Sequence, residues 1–286
     1  PGDPAAMILG EQATAEAIEM KREELGLNDP ILVRYFNYMK DLLHGDMGVS
    51  YRNSISVWEQ VTDRFPNTVV LAIAGILVAL LIGLPLGILS AKKQNTIIDN
   101  ISMVLSLIGV SMPNFWFGLL VVMLFALKLG WLPSQGMGEG FVPLLLSLIL
   151  PALTLGTGSA GSIARMTRSS MLEVIRQDYI STARAKGVDE RTVTFQHMLR
   201  NALIPIITSV GLQFGSLLGG AMLTETVFSW PGLGRLMVEN IKSKDIPMVL
   251  GCVVFLATMF TIVNLVVDLI YAFVDPRIKS LYKKGR

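Results

Sequence analysis

Five long stretches without a single Asp, Glu, Lys or Arg constrain this sequence more than any other feature. They cover residues 69–91, 101–127, 141–164, 201–224 and 246–267. Each is long enough to cross a bilayer, which takes about 20 residues of α-helix. Interior prolines and glycines are better tolerated in membrane helices than in soluble ones, because neighbouring helices and Ser/Thr side chains satisfy the freed backbone groups. We therefore predict an all-α membrane protein with five spans in this sequence.

Composition agrees with a lipid environment and argues against several other classes. The chain is 52% hydrophobic and only 16% charged, whereas soluble domains carry about 25% charged residues. A net charge of +2 gives no reason to expect a nucleic-acid partner. The single cysteine, Cys252, cannot form an intrachain disulfide, and with only His44 and His197 the sequence offers no metal-ligand cluster. A soluble helical core would have to bury all five apolar stretches at once.

The basic residues indicate which way the chain crosses the membrane. They concentrate in alternate connections and in the tail: Lys92, Lys93, Arg165, Arg168, Arg176, Arg184, Lys186, Arg191, Arg200, Arg277, Lys279, Lys283, Lys284 and Arg286. Short cytoplasmic loops carry an excess of Lys and Arg, so these segments are predicted to be cytoplasmic. The loops 128–140 and 225–245 are poorer in positive charge and are placed on the opposite side.

This orientation puts the amino-terminal region outside the cell and divides the chain into three parts. Residues 1–66 are extracytoplasmic, yet the sequence begins Pro-Gly-Asp-Pro without a signal peptide, so we expect a sixth span upstream. Residues 11–66 mix apolar and charged side chains and predict a small helical cap. The transmembrane domain then covers 67–276, with a long cytoplasmic loop at 165–200, and residues 277–286 form a cytoplasmic tail.

The loop 165–200 has the composition of helices and is too long for a tight connection. Residues 179–187 (YISTARAKG) predict a short amphipathic helix with small residues on one face, ended by Gly187. Small side chains permit close approach of another protein and the flanking basic residues offer hydrogen-bond donors, so this helix could dock into a groove on a partner. The alternative is a solvated basic loop, which is expected on the cytoplasmic side in any case.

Several motifs resemble those of one transporter family. Residues 179–187 followed by 197–205 (HMLRNALIP) resemble the coupling loop of bacterial ABC importer permeases, in particular the dipeptide/oligopeptide/nickel family and its first-subunit (DppB/OppB-like) branch. Further similar segments are 1–5 (PGDPA), 45–50 (GDMGVS), 65–68 (FPNT) and 224–234 (TETVFSWPGLG). The chain departs from the general importer pattern E-A-A-x-x-x-G, because Ser181 and Thr182 stand at its first two positions, and the gap from Gly187 to Pro205 is longer.

The resemblance implies a type I ABC importer permease bundle and a set of partners. Two homologous permease subunits would form the pathway, two cytoplasmic ATP-binding subunits would drive it, and an extracytoplasmic substrate-binding protein would deliver di- or oligopeptides. Glutathione and chelated nickel are alternative cargoes. The chain itself would be no enzyme and bind no cofactor, since ATP and magnesium would sit in the partners. Its location would be the bacterial cytoplasmic membrane, with the C-terminus in the cytoplasm. The implied ATPase-coupling residues are Ser181, Thr182, Ala183, Arg184, Ala185, Lys186 and Gly187.

Within that implied interface, Ala183 and Gly187 would be close-approach positions, and Arg184 and Lys186 would orient the partner. The chain carries no phosphate-binding loop of its own. Residues 156–161 fit G-x-G-x-x-G, but they lie inside an apolar stretch and do not join a strand to a helix. Their small side chains predict tight helix–helix packing instead.

Polar residues near the membrane are further candidates. Gln213, Asn264 and Asp268 are candidates for the transport pathway, because polar groups at membrane depth are costly and often functional. Interhelical hydrogen bonds or pairing with a neighbouring basic residue are the alternatives. In the outer loop, Glu225, Trp230 and Arg235 could contact the binding protein, gate the pathway, or serve packing alone.

Two functions from other classes compete with the permease hypothesis. An ion-coupled secondary transporter would predict paired acidic residues or broken helices near mid-membrane, and inverted repeats. Apart from the glycines and prolines, the sequence gives no sign of these features. An intramembrane enzyme would need a nucleophile with a base, or metal ligands, at membrane depth, and neither histidine is so placed. Neither alternative explains the helical cytoplasmic loop.

Overall fold

A computed structural model describes residues 3–10 and 12–274, and this part of the chain confirms the predicted all-α membrane protein. Four helices are long and apolar enough to cross a membrane, and there are five spans if the bent pair formed by residues 97–111 and 114–128 is counted as one. The helices are α1 (Pro4–Leu9), α2 (Ala15–Glu24), α3 (Ile31–Leu43), α4 (Val57–Lys92), α5 (Ile97–Ser111), α6 (Asn114–Val121), α7 (Phe141–Ile175), α8 (Asp178–Ala185), α9 (Glu190–Thr192), α10 (Arg200–Gly220), α11 (Met222–Val227), α12 (Leu233–Lys242) and α13 (Ile246–Val274). Two π-helical segments, Val122–Lys128 and Val193–Leu199, extend α6 and lead into α10. The tail 277–286 lies outside the described residues.

The amino-terminal cap is helical, but it is shorter than predicted. It consists of α1, α2 and α3, and residues 57–66 belong to the first membrane helix, α4. Helices α2 and α3 bury no residue completely. An ion pair of 2.8 Å between Arg22 Nε and Asp3 Oδ2 joins α2 to α1. The boundary drawn at residue 66 therefore falls inside a continuous helix, because Pro66 is accommodated within α4 and does not end it.

The second predicted span, 101–127, is broken. Helix α5 ends at Ser111, and the chain resumes as a helix at Asn114 after a bend of 101°. The residue before a proline is pushed out of the helical region, and Met112, which precedes Pro113, has an extended backbone (φ −77°, ψ 129°). A broken helix is one feature expected of a secondary transporter, but here it comes without acidic residues in the stretch 101–127.

Small residues let α4 and α7 pack with their backbones close together. A Cβ atom on Gly83 would lie 2.7 Å from the carbonyl oxygen of Ala160, and one on Gly156 would lie 2.7 Å from that of Gly75. Gly161 makes an equally close approach to Ser106 of α5. The predicted packing role of residues 156–161 is confirmed, and α4, α5 and α7 form one tightly packed group.

The cytoplasmic loop predicted at 165–200 is mostly continuous with membrane helices. Helix α7 runs ten residues past Arg165, to Ile175, and helical structure resumes at Glu190 and continues to Gly220. Only residues 176–189 form the connection, and α8 lies within it. The loop is shorter than predicted because the spans extend beyond their apolar stretches, as helices do when charged residues solvate their ends.

Candidate functional site

Helix α8 is held against the rest of the chain by one fully buried side chain. Ile180 has no exposed surface and lies in a cluster with Met171 and Leu172 of α7 and Val193 and Met198 of the following π-helical segment. Burying an isoleucine contributes about 1.5–3 kcal/mol. The short helix is therefore fixed to the end of α7 and to the entry of α10.

Six of the seven predicted coupling residues lie on the exposed side of α8 and its C-terminus: Ser181, Thr182, Arg184, Ala185, Lys186 and Gly187. Ala183 is half-buried and packs against the cluster around Ile180. Arg184 Nε pairs with Glu190 Oε1 at 2.7 Å, which ties α8 to α9. The segment thus presents a small, mainly polar surface around a fixed helix.

The backbone conformation at position 187 favours glycine. Its φ is +76°, in the left-handed region, and a Cβ atom at this position would meet nothing within 4 Å. Glycine is favoured just after a helix in this conformation because other L-residues cost roughly 1–2 kcal/mol there. Its amide accordingly donates to the carbonyl of Arg184 at 2.9 Å.

Two exposed aromatic side chains, one on α8 and one on the following π-helical segment, were not among the predicted site residues. Tyr179 is 44% exposed, and Phe195 on the π-helical segment is 57% exposed. Aromatic residues are enriched among the side chains that dominate binding energy at protein interfaces. An aromatic residue in a charge-rich stretch that is predicted to be cytoplasmic is the sequence signal that could have identified Phe195.

The three pathway candidates lie in different surroundings. Gln213 lines an open groove of about 490 Å³. Asn264 packs against α10, where its Oδ1 atom would lie 3.2 Å from a Cβ on Gly215, and this oxygen is buried without a hydrogen-bond partner. Asp268 is exposed on α13. The groove has a mainly apolar lining that includes three polar side chains of α10; it is formed by Met166, Ile204, Pro205, Thr208, Ser209, Leu212 and Gln213.

Glu225 lies at the centre of a buried hydrogen-bond network in the loop 225–245, which was predicted to be extracytoplasmic. Its side chain has no exposed surface, and its Oε1 atom accepts a hydrogen bond of 2.7 Å from Thr68 Oγ1 in α4. Its Oε2 atom accepts one of 2.9 Å from the backbone amide of Arg235. Thr68 in turn accepts from the amide of Leu233 at 2.8 Å. Burial raises the pKa of the Glu225 carboxyl above its ordinary value, and these hydrogen bonds partly oppose that rise.

Trp230 and Arg235 belong to the same hydrogen-bond network. Trp230 is fully buried, and its indole Nε1 donates to the carbonyl of Asn67 at 2.8 Å. The Asn67 amide donates to the carbonyl of Pro231 at 2.9 Å. Arg235 donates to the carbonyl of Ser229 at 2.6 Å. Packing therefore accounts for Glu225 and Trp230, and the similar segments 65–68 and 224–234 prove to be two halves of one structural unit.

A second polar junction, missed by sequence reasoning, joins the cap region to the last span. Asp245 precedes α13 and is 1% exposed. It accepts hydrogen bonds from Ser50 Oγ at 2.5 Å and from the backbone amides of Tyr51 and Arg52 at 3.3 Å. The residues lie almost 200 positions apart, so no local pattern could have paired them. Within residues 3–10 and 12–274, no group of three or more His, Cys, Asp or Glu side chains could hold a metal ion.

Comparison with known families decides the class. Residues 83–280 match the family described as "Binding-protein-dependent transport system inner membrane component". The chain belongs to this family. Residues 1–72 match the corresponding N-terminal family of membrane components, so the two matches cover both the cap and the spans. The chain is accordingly a multi-pass membrane protein of the permease class.

Curated relatives match nearly the whole chain. The dipeptide transport system permease protein DppB of Alkalihalophilus pseudofirmus is 46% identical, over 98% of this chain and 91% of the relative. DppB of Escherichia coli strain K12 is 41% identical over 98% and 90%. The glutathione transport system permease protein GsiC of Salmonella choleraesuis is 43% identical over 98% and 90%. These relatives confirm the resemblance to the peptide permease branch.

Solved structures confirm the fold. The MetNI methionine ABC transporter in an inward-facing conformation aligns with a TM-score of 0.64 at 20% identity, over 76% of this chain and 96% of that one. An amino acid ABC transporter aligns with a TM-score of 0.55 at 13% identity, over 77% and 94%. The bundle is therefore that of type I ABC importer permeases, as the sequence predicts.

Proposed function

We propose that this chain forms half of the translocation pathway of an ATP-driven importer for di- and oligopeptides. Its partners would be a second homologous permease, two ATP-binding subunits and an extracytoplasmic substrate-binding protein. The observation that carries the proposal is α8, a helix fixed by Ile180 that exposes residues 181–187, apart from the half-buried Ala183, beside the cytoplasmic end of α7. The peptide cargo is supported by the DppB relatives.

Glutathione is the second candidate cargo. The GsiC relative, at 43% identity, is named for its transport, and glutathione is itself a tripeptide, so the same peptide groups would be recognised. Chelated nickel is less well supported, because the chain has two histidines and one cysteine and neither relative type is named for a metal. The cytoplasmic tail and the bacterial cytoplasmic membrane follow from the same proposal.

The proposed mechanism is mechanical. Binding of ATP closes the two ATPases and displaces α8, which sits in a groove on their surface. Because Ile180 shares a buried cluster with Met171 of α7 and with Val193 and Met198 before α10, a displacement of α8 moves the cytoplasmic ends of both spans. The bundle then rocks between inward-open and outward-open states, a rigid-body transition of the kind that drives domain closure.

Co-purification tests this function. The tagged chain, expressed with its chromosomal neighbours and extracted in mild detergent, is expected to recover a second permease and ATP-binding subunits. Gly187→Val is expected to lose the ATP-binding subunits, because a β-branched residue is strongly disfavoured at φ +76°. Gly187→Asn is the matched control, since asparagine tolerates the left-handed region.

The asparagine variant also separates two roles for Gly187. Retention of the ATP-binding subunits would mean that backbone conformation matters, whereas their loss would mean that the partner approaches too closely for any side chain. A wild-type chain that purifies alone and moves solute down an ion gradient would refute the importer.

Gln213 supplies a test of the pathway. We expect Gln213→Leu to lower the uptake rate of a labelled dipeptide by roughly two- to tenfold, because a lost hydrogen bond is worth about 0.5–1.5 kcal/mol. Subunit assembly should not change. Asp268→Asn is the control and is expected to transport normally, since Asp268 lies on the exposed surface of α13 away from the groove. Equal uptake by all three proteins would remove Gln213 from the pathway.

A further inference from the structure

An ion pair with a buried carboxylate joins α5 to α7 at the end of the bundle that carries α8. The Asp99 side chain, in the first turn of α5, is 3% exposed. Arg168 of α7 donates two hydrogen bonds to this carboxylate, from Nε to Oδ1 and from Nη2 to Oδ2, both 2.7 Å long. Such bidentate pairs fix geometry more strongly than single contacts.

Two further donors complete the site and bring in α4. Ser90, fully buried near the end of α4, donates its hydroxyl to Oδ1. The backbone amide of Asn95 donates to Oδ2 at 2.9 Å, and Asn95 itself has a φ of +61° in the tight turn that joins α4 to α5. One carboxylate therefore receives hydrogen bonds from α4, from the α4–α5 turn and from α7.

The position of this pair relates it to the proposed coupling surface. Arg168 lies seven residues before the end of α7, and only Arg176 and Gln177 separate α7 from α8. Ile180 of α8 lies in the same buried cluster as Met171 and Leu172 of α7. Arg168 therefore lies about one helical turn from the α7 residues of that cluster.

We propose that the Asp99–Arg168–Ser90 cluster is a brace that makes α4 and α5 follow α7 when α8 is displaced. This rests on the proposed function, since it assigns the step by which the ATPases would move the pathway. Close packing holds α4 to α7 at Gly83 and at Gly87, the latter against Thr167, the residue before Arg168. At the cytoplasmic end, where α5 begins, the ion pair supplies the equivalent link. Arg168 acts as a positioning residue and contacts no solute.

The alternative to the brace is that Arg168 is a solvated basic residue without a positioning role. The neighbouring Arg165 provides the comparison, because it lies one turn away on α7 and is exposed. Replacing either arginine removes one positive charge and therefore weakens the positive-inside signal for membrane orientation equally. Only Arg168 has the four-donor carboxylate as its partner, so the two substitutions separate the brace from charge alone.

The test measures a distance and a coupling ratio in the assembled complex. Spin labels on Ile97→Cys, at the exposed start of α5, and Glu173→Cys, at the exposed end of α7, are introduced with Cys252→Ala. In the otherwise unmodified complex we expect one narrow distance distribution that is the same with and without ATP. With Arg168→Gln the distribution should broaden and change with nucleotide. Arg165→Gln should leave it unchanged.

The functional readout is labelled alanyl-alanine or glutathione transported per ATP hydrolysed, in proteoliposomes containing the binding protein. We expect Arg168→Gln to lower this ratio at least about fivefold, the lower end of the usual range of coupling between sites, while ATP hydrolysis and subunit recovery persist. Unchanged distance and ratio would overturn the brace. A lower melting temperature with an unchanged ratio would also overturn it, because the pair would then be structural only.

Two additional measurements keep the outcomes distinct. If Arg168→Gln does not fold, Arg168→Lys keeps the charge but cannot form the planar bidentate pair, and an unchanged distance and ratio in that variant would refute the brace. If no ATP-binding subunit accompanies the wild-type chain, the proposed function fails. The brace would still be tested by the width of the Ile97–Glu173 distribution in the permease alone, where an equal width with and without Arg168 would refute it.

Discussion

Replacing Glu225 with alanine is expected to leave little folded permease. The change opens a cavity and removes the acceptor for the Thr68 hydroxyl and the Arg235 amide. Each buried donor left unpaired costs about 1–3 kcal/mol, so two cost roughly 2–6 kcal/mol. That is a large share of a total stability of about 5–15 kcal/mol. The yield of monodisperse protein by size-exclusion chromatography and the melting temperature in detergent would measure the loss.

The control for this substitution is Glu239→Ala. Glu239 lies on α12 with its side chain 53% exposed and pairs with Arg235 at 2.8 Å. An exposed pair of this kind contributes about 0–1 kcal/mol, so the control should fold normally. If Glu225→Ala and Glu239→Ala gave the same yield and melting temperature, the buried hydrogen-bond network would not stabilise the loop 225–245. The packing of segment 65–68 against segment 224–234 would then need another explanation.

The buried Glu225 carboxyl also predicts that the stability of the folded protein depends on pH. Burial raises the pKa of Glu225 in the folded state above its ordinary value of 4.5, so the folded protein binds this proton more readily than the unfolded chain. The resulting stability is complete below the unfolded pKa and is lost as pH rises through the folded pKa. Relative to Glu225→Gln, which cannot titrate, the melting temperature of the wild-type protein should therefore fall from pH 4.5 upward. A constant difference between the two proteins would contradict this.

The parts that sequence predicts well are those set by local composition. Charge-free stretches locate the spans because lipid excludes charged side chains, and α8 follows from the composition and ending of residues 179–187. The break in the second span was not predictable in the same way. Pro66, Pro85, Pro151 and Pro205 all lie inside continuous helices, whereas the chain bends by 101° at Pro113. Packing against neighbouring helices decides which proline bends a span.

The polar clusters escaped prediction because they join residues far apart in the sequence. Asp245 pairs with Ser50, and Asp99 with Arg168, across 195 and 69 positions. Arg168 was counted among the basic residues of a cytoplasmic loop, where a positive charge needs no partner. Only the packing of α5 against α7 brings a carboxylate to it. For the same reason Glu225 and Trp230 looked accessible in an outer loop, although both are fully buried.

Replacing Ile180 with alanine should release α8 without disturbing the spans. Large-to-small substitutions of buried isoleucine cost about 2–5 kcal/mol, and here the loss falls on an eight-residue helix that no other fully buried residue anchors. Even 2 kcal/mol raises the population of the detached helix about 30-fold, at 1.4 kcal/mol per factor of ten. The permease should remain monodisperse, because the larger of the two buried clusters that join α4 to α7 does not include Ile180.

Limited trypsin digestion in detergent measures that population, since α8 and its end contain Arg184 and Lys186. Cleavage at these two sites should accelerate about 30-fold in Ile180→Ala, in proportion to the open form when reclosing is faster than cleavage. Thr182→Ala, which truncates an exposed side chain on the same helix, should be cleaved at the wild-type rate. Recovery of ATP-binding subunits should fall with Ile180→Ala, because the docking surface would have to be ordered at the moment of binding. Normal recovery despite rapid cleavage would show that the partner orders α8 by itself, and that Ile180 does not preform the surface.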